Sequence, residues 1–388
     1  MVDVFTAHSR IIVTCSNRLA PYLETELVEL NYQPVRTFQT GVELRGSVDD
    51  CIGLNLNLRC ASQVLYSLKE MRARDPDELY RQLSLIAWEE LIPAEGYLSV
   101  TSNVRTPSVN NELFVNVKVK DAIVDRIRDK MGKRPYSGAE LKGVVIHLYW
   151  RDEQAEVFLD TSGETLAKHG YRKIPGKAPM LESLAAATIL ATAWDGRTPF
   201  INPMCGSGTI AIEAALRATN RRPGLFRDNY AFMHMSGYKR NVYEREIALL
   251  GKKIQEQPKL KIVATDNSLD AIRISRVNAE SAGVGHCIHF ERCDFEKTPI
   301  PPGGGGIVFF NPEYGERMGE VRALEITYRA IGDFMKKHCQ GYTGYVFTGN
   351  LDLAKKIGLK ASRRIEFYSA KIDCRLLRYD LYAGSRDA

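Results

Sequence analysis

The sequence predicts an α/β protein whose C-terminal half forms a Rossmann-like, doubly wound sheet and whose N-terminal half is a smaller α+β region. Two observations lead to this fold class. From Pro199 onward, short apolar runs typical of buried strands alternate with segments of helical periodicity, as in a parallel sheet with crossover helices. Residues 10–73 read instead as strand, helix, strand, helix and strand, which is the pattern of a ferredoxin-like unit.

The N-terminal half reads as short elements bounded by turn residues. A β-rich run at 10–16 precedes a helix at 20–32, in which Leu23, Leu27 and Leu30 recur at helical spacing. The later predictions are, in order, an alternating strand segment with a Gly turn at 34–47, a helix and strand at 49–73, a helix at 75–96, a strand at 97–106, a segment at 110–135 that begins extended and becomes helical, and a hairpin at 144–163 that turns at 151–153.

The composition changes near residue 165, where a loop leads into an Ala-rich helix that ends near Trp194. The stretch 221–241 reads as an insertion or an ordered loop. The remaining predictions are strand and helix at 200–219, strand and helix at 261–284, strands at 288–297 and 306–315, a helix that ends at Lys337, a strand at 344–349 and a hairpin at 366–382 that gives the sheet an antiparallel end.

Composition narrows the possible classes of protein. The 388 residues are 44% hydrophobic and 26% charged, as in ordinary globular domains, and no apolar run approaches the roughly 20 residues of a membrane span. We expect no secretory leader, because the N-terminus lacks a basic stretch before an apolar core. Eight scattered cysteines without a CxxC pair argue against a zinc cage and fit reduced thiols in a cytoplasm. The net charge of +6 is compatible with nucleic acid.

Two motifs at predicted strand ends suggest a nucleoside cofactor. One strand ends at Asn202, and the turn Cys205–Gly206–Ser207–Gly208 then leads into a helix, so the backbone can approach a ligand closely. The alternative is a tight βα connection. Asp266 ends the next strand and can accept hydrogen bonds from ribose hydroxyls, or it can cap a helix. The gap between these motifs far exceeds the roughly 20 residues of a dinucleotide fold, which speaks against a nicotinamide site.

Two further motifs concern a base. Asp294 and Phe295 follow a third strand and can contact an adenine, although a solvated turn is the alternative. The run Asn311–Pro312–Glu313–Tyr314 follows a fourth strand. The Asn311 oxygen and the Pro312 carbonyl can accept from an exocyclic amine and stabilise its developing positive charge, while Tyr314 offers a face for an unstacked base. A β-turn is the alternative, but the order of the four motifs favours amine methylation.

Three stretches, KHGYRKIPGKAPMLESLAAATI, NPMCGSGTIAIEAA and NPEYGERMG, resemble the THUMP-domain methyltransferases, which modify RNA with S-adenosylmethionine. The similarity extends over nearly the whole chain, and the subfamily it resembles most is the RlmL-like guanine-N2 methyltransferases of large-subunit rRNA. VKDAIVDRIR is typical of the THUMP domain in that family. The resemblance implies an N-terminal ferredoxin-like domain at 1–65, a THUMP domain at 66–160 and a methyltransferase domain at 161–388.

The resemblance also implies roles for the residues of the motifs. The methionine end of the donor would face Asn202, Cys205, Gly206 and Gly208, with Asp266 at the ribose and Asp294 and Phe295 at the adenine. Asn311, Pro312 and Tyr314 would hold the target base. The loop Tyr171–Met180 would close one side of the donor pocket, or it is a plain linker with solvated charges.

Two positions depart from the family pattern. Asn202 stands where the family usually has Asp, which removes an ion pair with the donor's ammonium group but keeps an acceptor. Glu313 stands where the commonest motif has a second Pro. We expect Glu313 to point to solvent, although altered specificity or weak activity is the alternative.

RNA would contact basic residues on a predicted helix from Lys118 to Arg134 and on the preceding strand. Interspersed acids at Asp121, Asp125 and Asp129 make a solvated helix face the competing interpretation. The candidate phosphate contacts are Arg105, Lys118, Lys120, Arg126, Lys133 and Arg134.

The expected function is therefore methyl transfer to a guanine N2 amine in 23S rRNA, with RNA as the partner and no membrane. Alternatives are tRNA guanine, adenine N6 and a non-catalytic RNA-binding assembly factor. Larger relatives carry a second methyltransferase domain after this one, so we expect this chain to catalyse one of their two reactions.

Overall fold

The computed structural model describes residues 3–176, 179–256, 261–314 and 318–382, with side chains left undescribed at 318–321. The chain divides into two compact units. The first comprises Met1–Cys15, Leu23–Ala167 and Pro223–Leu250, and the second comprises Ser16–Tyr22, Lys168–Arg222 and Gly251–Ala388. Each unit is built around one sheet, so the predicted α/β fold class is confirmed.

The first unit contains a mixed eight-stranded sheet in the order β2-β3-β1-β4-β8-β7-β5-β6. β4 pairs with both β1 and β8, so one sheet runs through both predicted N-terminal domains, and β4 crosses the boundary predicted between residues 65 and 66. The strands are β1 (Ser9–Thr14), β2 (Arg36–Phe38), β3 (Gly41–Gly46), β4 (Gln63–Arg72), β5 (Tyr97–Arg105), β6 (Tyr136–Ser137), β7 (Val144–Arg151) and β8 (Gln154–Asp160).

The helices of this unit that precede residue 168 are α1 (Ala20–Glu29, with its first turn in the second unit), α2 (Val48–Asn57), α3 (Pro76–Ser84) and α4 (Glu112–Met131). Side-chain caps begin α2, α3 and α4. The predicted extended start of 110–135 is wrong, because Asn111 caps α4 by accepting from the Leu113 amide at 2.9 Å. Gly132 adopts the left-handed conformation and ends α4. Lys133 and Arg134 therefore lie beyond the helix in which they were predicted.

The predicted insertion is part of the first unit. The Phe232 amide donates to the Thr161 carbonyl at 3.2 Å, and the Ser236 amide donates to the Leu91 carbonyl at 3.0 Å. The segment continues into a helix that the sequence did not predict, α7 (Arg240–Lys252). Residues Pro223–Leu250 therefore belong to the first unit, although they stand between two stretches of the second unit in the sequence.

The second unit contains a seven-stranded sheet in the order β11-β10-β9-β12-β13-β15-β14. Its first five strands are parallel and β15 runs antiparallel to β13 and β14, as the final hairpin predicts. The strands are β9 (Phe200–Pro203), β10 (Ile262–Asp266), β11 (Ile288–Arg292), β12 (Ile307–Phe310), β13 (Thr343–Thr348), β14 (Arg363–Ser369) and β15 (Ile372–Asp380); the helices are α5 (Glu182–Ala191), α6 (Thr209–Ala218), α8 (Leu269–Ser281), α9 (Met318–His338) and α10 (Leu351–Lys356).

Both faces of this sheet are buried, which explains why β12 is a continuous apolar run. Phe309 stacks between Phe200 and Tyr345 on one face, and Phe310 packs edge-on against Phe334 on the other. β9 lies between β10 and β12, so the chain order reverses beside it, and ligands of open α/β sheets bind at the carboxyl ends of strands at such a point. Among the described residues, none of the helices has the length and apolar character to cross a membrane.

Candidate active site

Asn202 lies at the carboxyl end of β9 and is 1% exposed. Its Nδ2 donates to the carbonyl of Phe309 on the neighbouring strand β12 at 2.9 Å. This bond fixes the orientation of the amide. Its Oδ1 is buried and has no hydrogen-bond partner in the described part of the chain. A buried acceptor without a partner is costly, so this oxygen is suited to a ligand's donor.

The Gly-rich turn after β9 is tied to β10. The Cys205 amide donates to the Thr265 carbonyl and the Gly206 amide donates to Asp266 Oδ2, both at 2.9 Å. Gly206 and Gly208 have φ values of 55° and 81°, which favour glycine. A Cβ on Gly208 would lie 2.7 Å from the Ser275 Cβ, whereas a Cβ on Gly206 would meet no atom within 4 Å. The turn thus packs on α8 at Gly208 and leaves open space at Gly206.

Asp266 ends β10 and does not cap α8, because Ser268 accepts from the Ala271 amide in that role. The carboxylate accepts from the Gly206 amide through Oδ2 and from the Ser268 amide through Oδ1, both at 2.9 Å. A carboxylate offers about four acceptor positions, so each oxygen keeps one for a further donor. This geometry suits a pair of ribose hydroxyls.

The third predicted motif lies next to Asp266, since the Cys293 amide donates to the Asp266 carbonyl at 3.1 Å. Asp294 is exposed and caps a short helical turn through the Glu296 amide. The half-buried Phe295 ring packs edge-on against Phe310, with ring centroids 6.1 Å apart. The described contacts therefore pack one part of the Phe295 ring against the core, leave the rest partly exposed, and leave the Asp294 side chain in solvent.

The loop at 171–176 is bonded to the same region by Asn278 of α8. The Asn278 Oδ1 accepts from the amides of Lys173 and Ile174 at 2.9 and 3.0 Å, and its Nδ2 donates to the Ser207 carbonyl at 3.3 Å. Arg172 donates to the Met180 carbonyl and to Thr209 Oγ1. The loop is thus fixed beside the N-terminus of α6, although residues 177–178 lie outside the described part. Sequence reasoning missed Asn278.

A buried polar pair supports this loop from behind. His169 Nδ1 lies 2.8 Å from Glu213 Oε1 on α6, and both side chains are fully enclosed. The Tyr171 ring lies edge-on to His169, and burial raises the pKa of Tyr171 well above its ordinary value. The phenol therefore stays neutral and ties the start of the loop to α6.

Asn311 follows β12 directly, and its Oδ1 is enclosed with no hydrogen-bond partner among the described residues. Pro312 is buried, while Glu313 is exposed as expected. Two side chains hold the backbone that follows. The Tyr328 hydroxyl donates to the Glu313 carbonyl, and Asn350 Nδ2 donates to the Tyr314 carbonyl, both at 3.3 Å. The loop is therefore held through its own carbonyls.

The Tyr314 ring is half-buried and packs against the backbone of Gly349, where a Cβ would lie 3.2 Å from the ring. Burial raises the pKa of Tyr314 to about 12, so the phenol is neutral at physiological pH. A neutral ring with one side supported by backbone can present its other side to a flat ligand. Residues 315–317 lie outside the described part of the chain.

Most of the predicted phosphate contacts pair with carboxylates instead. Within the described structure, Lys118 pairs with Asp77 and Lys120 with Asp121, each at 2.9 Å. Arg126 binds Glu89 through two nitrogens and Lys133 pairs with Glu95. The exposed Arg105 lies opposite Arg151 on the neighbouring strand β7, and Arg134 is exposed after α4. Phosphate contacts by the four paired cations would compete with these acids.

Taken together, the ends of β9, β10 and β12 carry a glycine turn, a carboxylate with spare acceptor capacity and two buried amide oxygens that have no partner among the described residues. Parallel neighbours bring these groups to the same edge of the sheet. This sheet order and this set of groups define a Rossmann-like methyltransferase.

The chain belongs to the family described as "RMKL-like, methyltransferase domain", whose model matches residues 169–378. Residues 10–65 match the RlmL ferredoxin-like domain, and residues 73–160 match the THUMP domain. The family and the domain types expected from the sequence are thereby confirmed.

Individual relatives agree with this assignment. A "Ribosomal RNA large subunit methyltransferase K/L" of Syntrophotalea carbinolica is 35% identical over 381 residues, which are 96% of this chain and 53% of that protein. A Synechocystis sp. protein named "Putative RNA methyltransferase" is 30% identical over 98% of this chain and 99% of its own length. The chain thus spans about half the length of the K/L relative. The crystal structure of SMU.472 complexed with SAH has a TM-score of 0.87 at 25% identity and covers 97% of this chain and 99% of its own.

Proposed function

We propose that this protein transfers a methyl group from S-adenosylmethionine to the exocyclic N2 amine of a guanine in large-subunit rRNA. The single observation that carries the proposal is the buried Oδ1 of Asn311 at the end of β12, which has no partner in the part of the chain that the structure describes. The domain set and the names of the K/L relatives favour rRNA among the possible substrates. The expected location is the bacterial cytoplasm, where such RNA is found.

The residues at the ends of β9 and β10 fit the donor. The open space at Gly206 leaves room for the methionine part of such a molecule, and the spare acceptor positions of Asp266 suit its ribose hydroxyls. The Asn202 Oδ1, which has no partner among the described residues, suits its ammonium group. We assign the methionine end to Asn202, Cys205, Gly206 and Gly208, the ribose to Asp266, and the adenine to Asp294 and Phe295. When bound, the donor supplies an electrophilic methyl group on a sulfonium.

Asn311 and Pro312 act on the amine. A base amine is a poor nucleophile, because its lone pair is delocalised into the ring. The Asn311 Oδ1 and the Pro312 carbonyl accept the two amine hydrogens, so that the lone pair is directed away from the ring and the positive charge that develops on nitrogen is stabilised. Tyr314 supports the plane of the extruded base. The nitrogen loses its extra proton to water after the transfer.

RNA binding is assigned to the N-terminal unit. We infer that Arg105 and Arg134, for which the described structure gives no carboxylate partner, contact phosphates more strongly than Lys118, Lys120, Arg126 and Lys133, whose ion pairs must open first.

The test incubates the protein with labelled donor and either protein-free rRNA or tRNA, and then digests the product to nucleosides. Wild type is compared with Asn311→Ala and with Asn241→Ala, which removes an exposed amide on α7 as a matched control. The expected result is label in N2-methylguanine of rRNA, lost in Asn311→Ala to about 1% or less and kept in the control.

Other outcomes separate the alternatives. Label in tRNA or in N6-methyladenine would replace the substrate but keep the chemistry. Donor binding by calorimetry without any transfer would favour a non-catalytic RNA-binding factor. The absence of donor binding would overturn the enzyme proposal itself.

A further inference from the structure

The short segment Ser16–Tyr22 belongs to the second unit, although the residues on both sides of it belong to the first. It connects β1 with α1. Its contacts within the second unit are with the terminal hairpin β14–β15. The proposed function assigns no role to these residues.

Arg18 joins the two strands of this hairpin. Its Nη1 lies 2.8 Å from Asp373 Oδ1 on β15 and 3.3 Å from Glu366 Oε2 on β14. The guanidinium also lies over the ring of Tyr368, 4.4 Å from the centroid. Arg18 itself has a φ of 68°, a conformation uncommon outside glycine.

Two further contacts strengthen the same attachment. The Tyr22 ring stacks on Phe367 of β14, with centroids 5.4 Å apart and planes 16° apart. Arg375 pairs with Asp373 and Glu366 from within the hairpin, so two arginines share two carboxylates. Such a network orders its members more than an isolated surface pair does.

The end of this hairpin in turn supports the proposed base site. The Tyr314 hydroxyl contacts the side chains of Ser369 and Cys374, next to the hairpin turn. Ile372 packs against Gly349, where a Cβ would lie 2.6 Å from Ile372 Cγ2 and 3.2 Å from the Tyr314 ring. Tyr314 is therefore enclosed by Gly349 on one side and by the hairpin at its hydroxyl.

We propose that Arg18 is a positioning residue for the target-base site: it fixes the β14–β15 hairpin, which holds Tyr314 at the angle that the base requires. The inference rests on the proposed function of Tyr314. Arg18 acts through the hairpin and does not touch the base or the donor. Its planar fork and its stacking on Tyr368 make lysine an incomplete substitute.

The experiment compares Arg18→Ala, Arg18→Lys and Asp373→Asn with wild type. The control Lys336→Ala removes a cation that pairs with Asp333 on the surface of α9. Three quantities are measured on the full chain: the rate of methyl transfer at saturating RNA, the donor Kd by calorimetry, and amide hydrogen exchange in β14, β15 and residues 311–314.

Arg18→Ala is expected to lower kcat about threefold to tenfold, because a misplaced binding surface costs rate without costing donor affinity. The donor Kd should stay within about twofold, exchange in the hairpin and loop should rise, and Arg18→Lys should restore part of kcat. Asp373→Asn should move kcat in the same direction. Lys336→Ala should behave as wild type.

Unchanged kcat and exchange in Arg18→Ala would overturn the proposal, as would a fall in kcat matched by an equal fall in donor affinity. If Arg18→Ala fails to fold, Asp373→Asn and Arg18→Lys carry the same test. A wild type without transfer on any RNA would refute the proposed function, whereas the exchange data would still decide whether Arg18 holds the hairpin and the loop.

Discussion

Asn202→Asp tests whether the amide orientation at the end of β9 is a requirement of this chain. Asn202 Nδ2 donates to the Phe309 carbonyl at 2.9 Å in a site that is 1% exposed. An ionised carboxylate would place an acceptor against that carbonyl, leave the carbonyl unpaired and bury a charge. Leaving the carbonyl unpaired costs about 1–3 kcal/mol, and burial of the charge adds to it. We expect a loss of about 2–4 kcal/mol in the free energy of unfolding at pH 8.

The sign of the pH dependence follows from the protonated form. Burial raises the pKa of the introduced carboxyl above its unfolded value of about 3.9, and the protonated acid can donate to the Phe309 carbonyl in place of the amide. Stability from this group is therefore fully present below pH 3.9 and is lost as pH rises through the folded pKa. The variant should be closer to wild type at pH 5 than at pH 8.

Urea unfolding at pH 5 and pH 8 measures the loss in the free energy of unfolding and its dependence on pH, and calorimetry at pH 8 measures donor affinity. Asn241→Asp, which introduces an acid at an exposed position on α7, is the matched control and should change stability by less than about 0.5 kcal/mol. Equal stability of Asn202→Asp and wild type at pH 8 would refute the orientation of the amide. Tighter donor binding by the variant would show that the family's usual acid is compatible with this strand.

Two further predictions concern the donor site. Gly208→Ala should lower the free energy of unfolding by about 2–4 kcal/mol, because its Cβ would lie 2.7 Å from Ser275 and its φ is 81°. Gly206→Ala should lower it by only about 1 kcal/mol but should weaken donor binding, because the new methyl group fills the open space. Thermal unfolding and calorimetry distinguish the two variants, and equal donor affinities would contradict this prediction. Asn278→Ala should raise the donor Kd about tenfold with a smaller effect on kcat, because the amides of Lys173 and Ile174 lose their acceptor. A loss of stability with an unchanged donor Kd would show that the loop at 171–176 is not part of the donor pocket.

Local patterns in the sequence predicted the second unit well, because its central strands β9, β10 and β12 are short apolar runs, buried along their length, that end at Asn or Asp. For the same reason, the sequence places Asn202, Asp266 and Asn311 correctly at the ends of strands, while their roles stay predictions. The helices α7 and α10 were missed. α7 is mostly polar and follows an irregular insertion, while α10 has six residues and depends on the Asn350 side chain as its cap.

Other parts of the site depend on contacts between residues distant in sequence, and no local pattern reports those. Asn278 binds a loop more than 100 residues earlier in the chain. Lys118 meets Asp77 at a separation of 41 residues, so its ion pair was invisible in a helix that reads as basic. The hydrogen bonds from Tyr328 and Asn350 to the carbonyls of Glu313 and Tyr314 likewise join residues that are distant in sequence.

The segment Pro223–Leu250 has a consequence for any attempt to divide the protein. The chain passes between the two units after residues 15, 22, 167, 222 and 250. A fragment that starts at Lys168 would keep this segment but lose Leu91 and Thr161, whose carbonyls bind it. The fully buried aromatic rings of Tyr230 and Phe232 would then face water. The two units are consequently encoded in interleaved stretches of one chain, so neither unit could be released by a single cut.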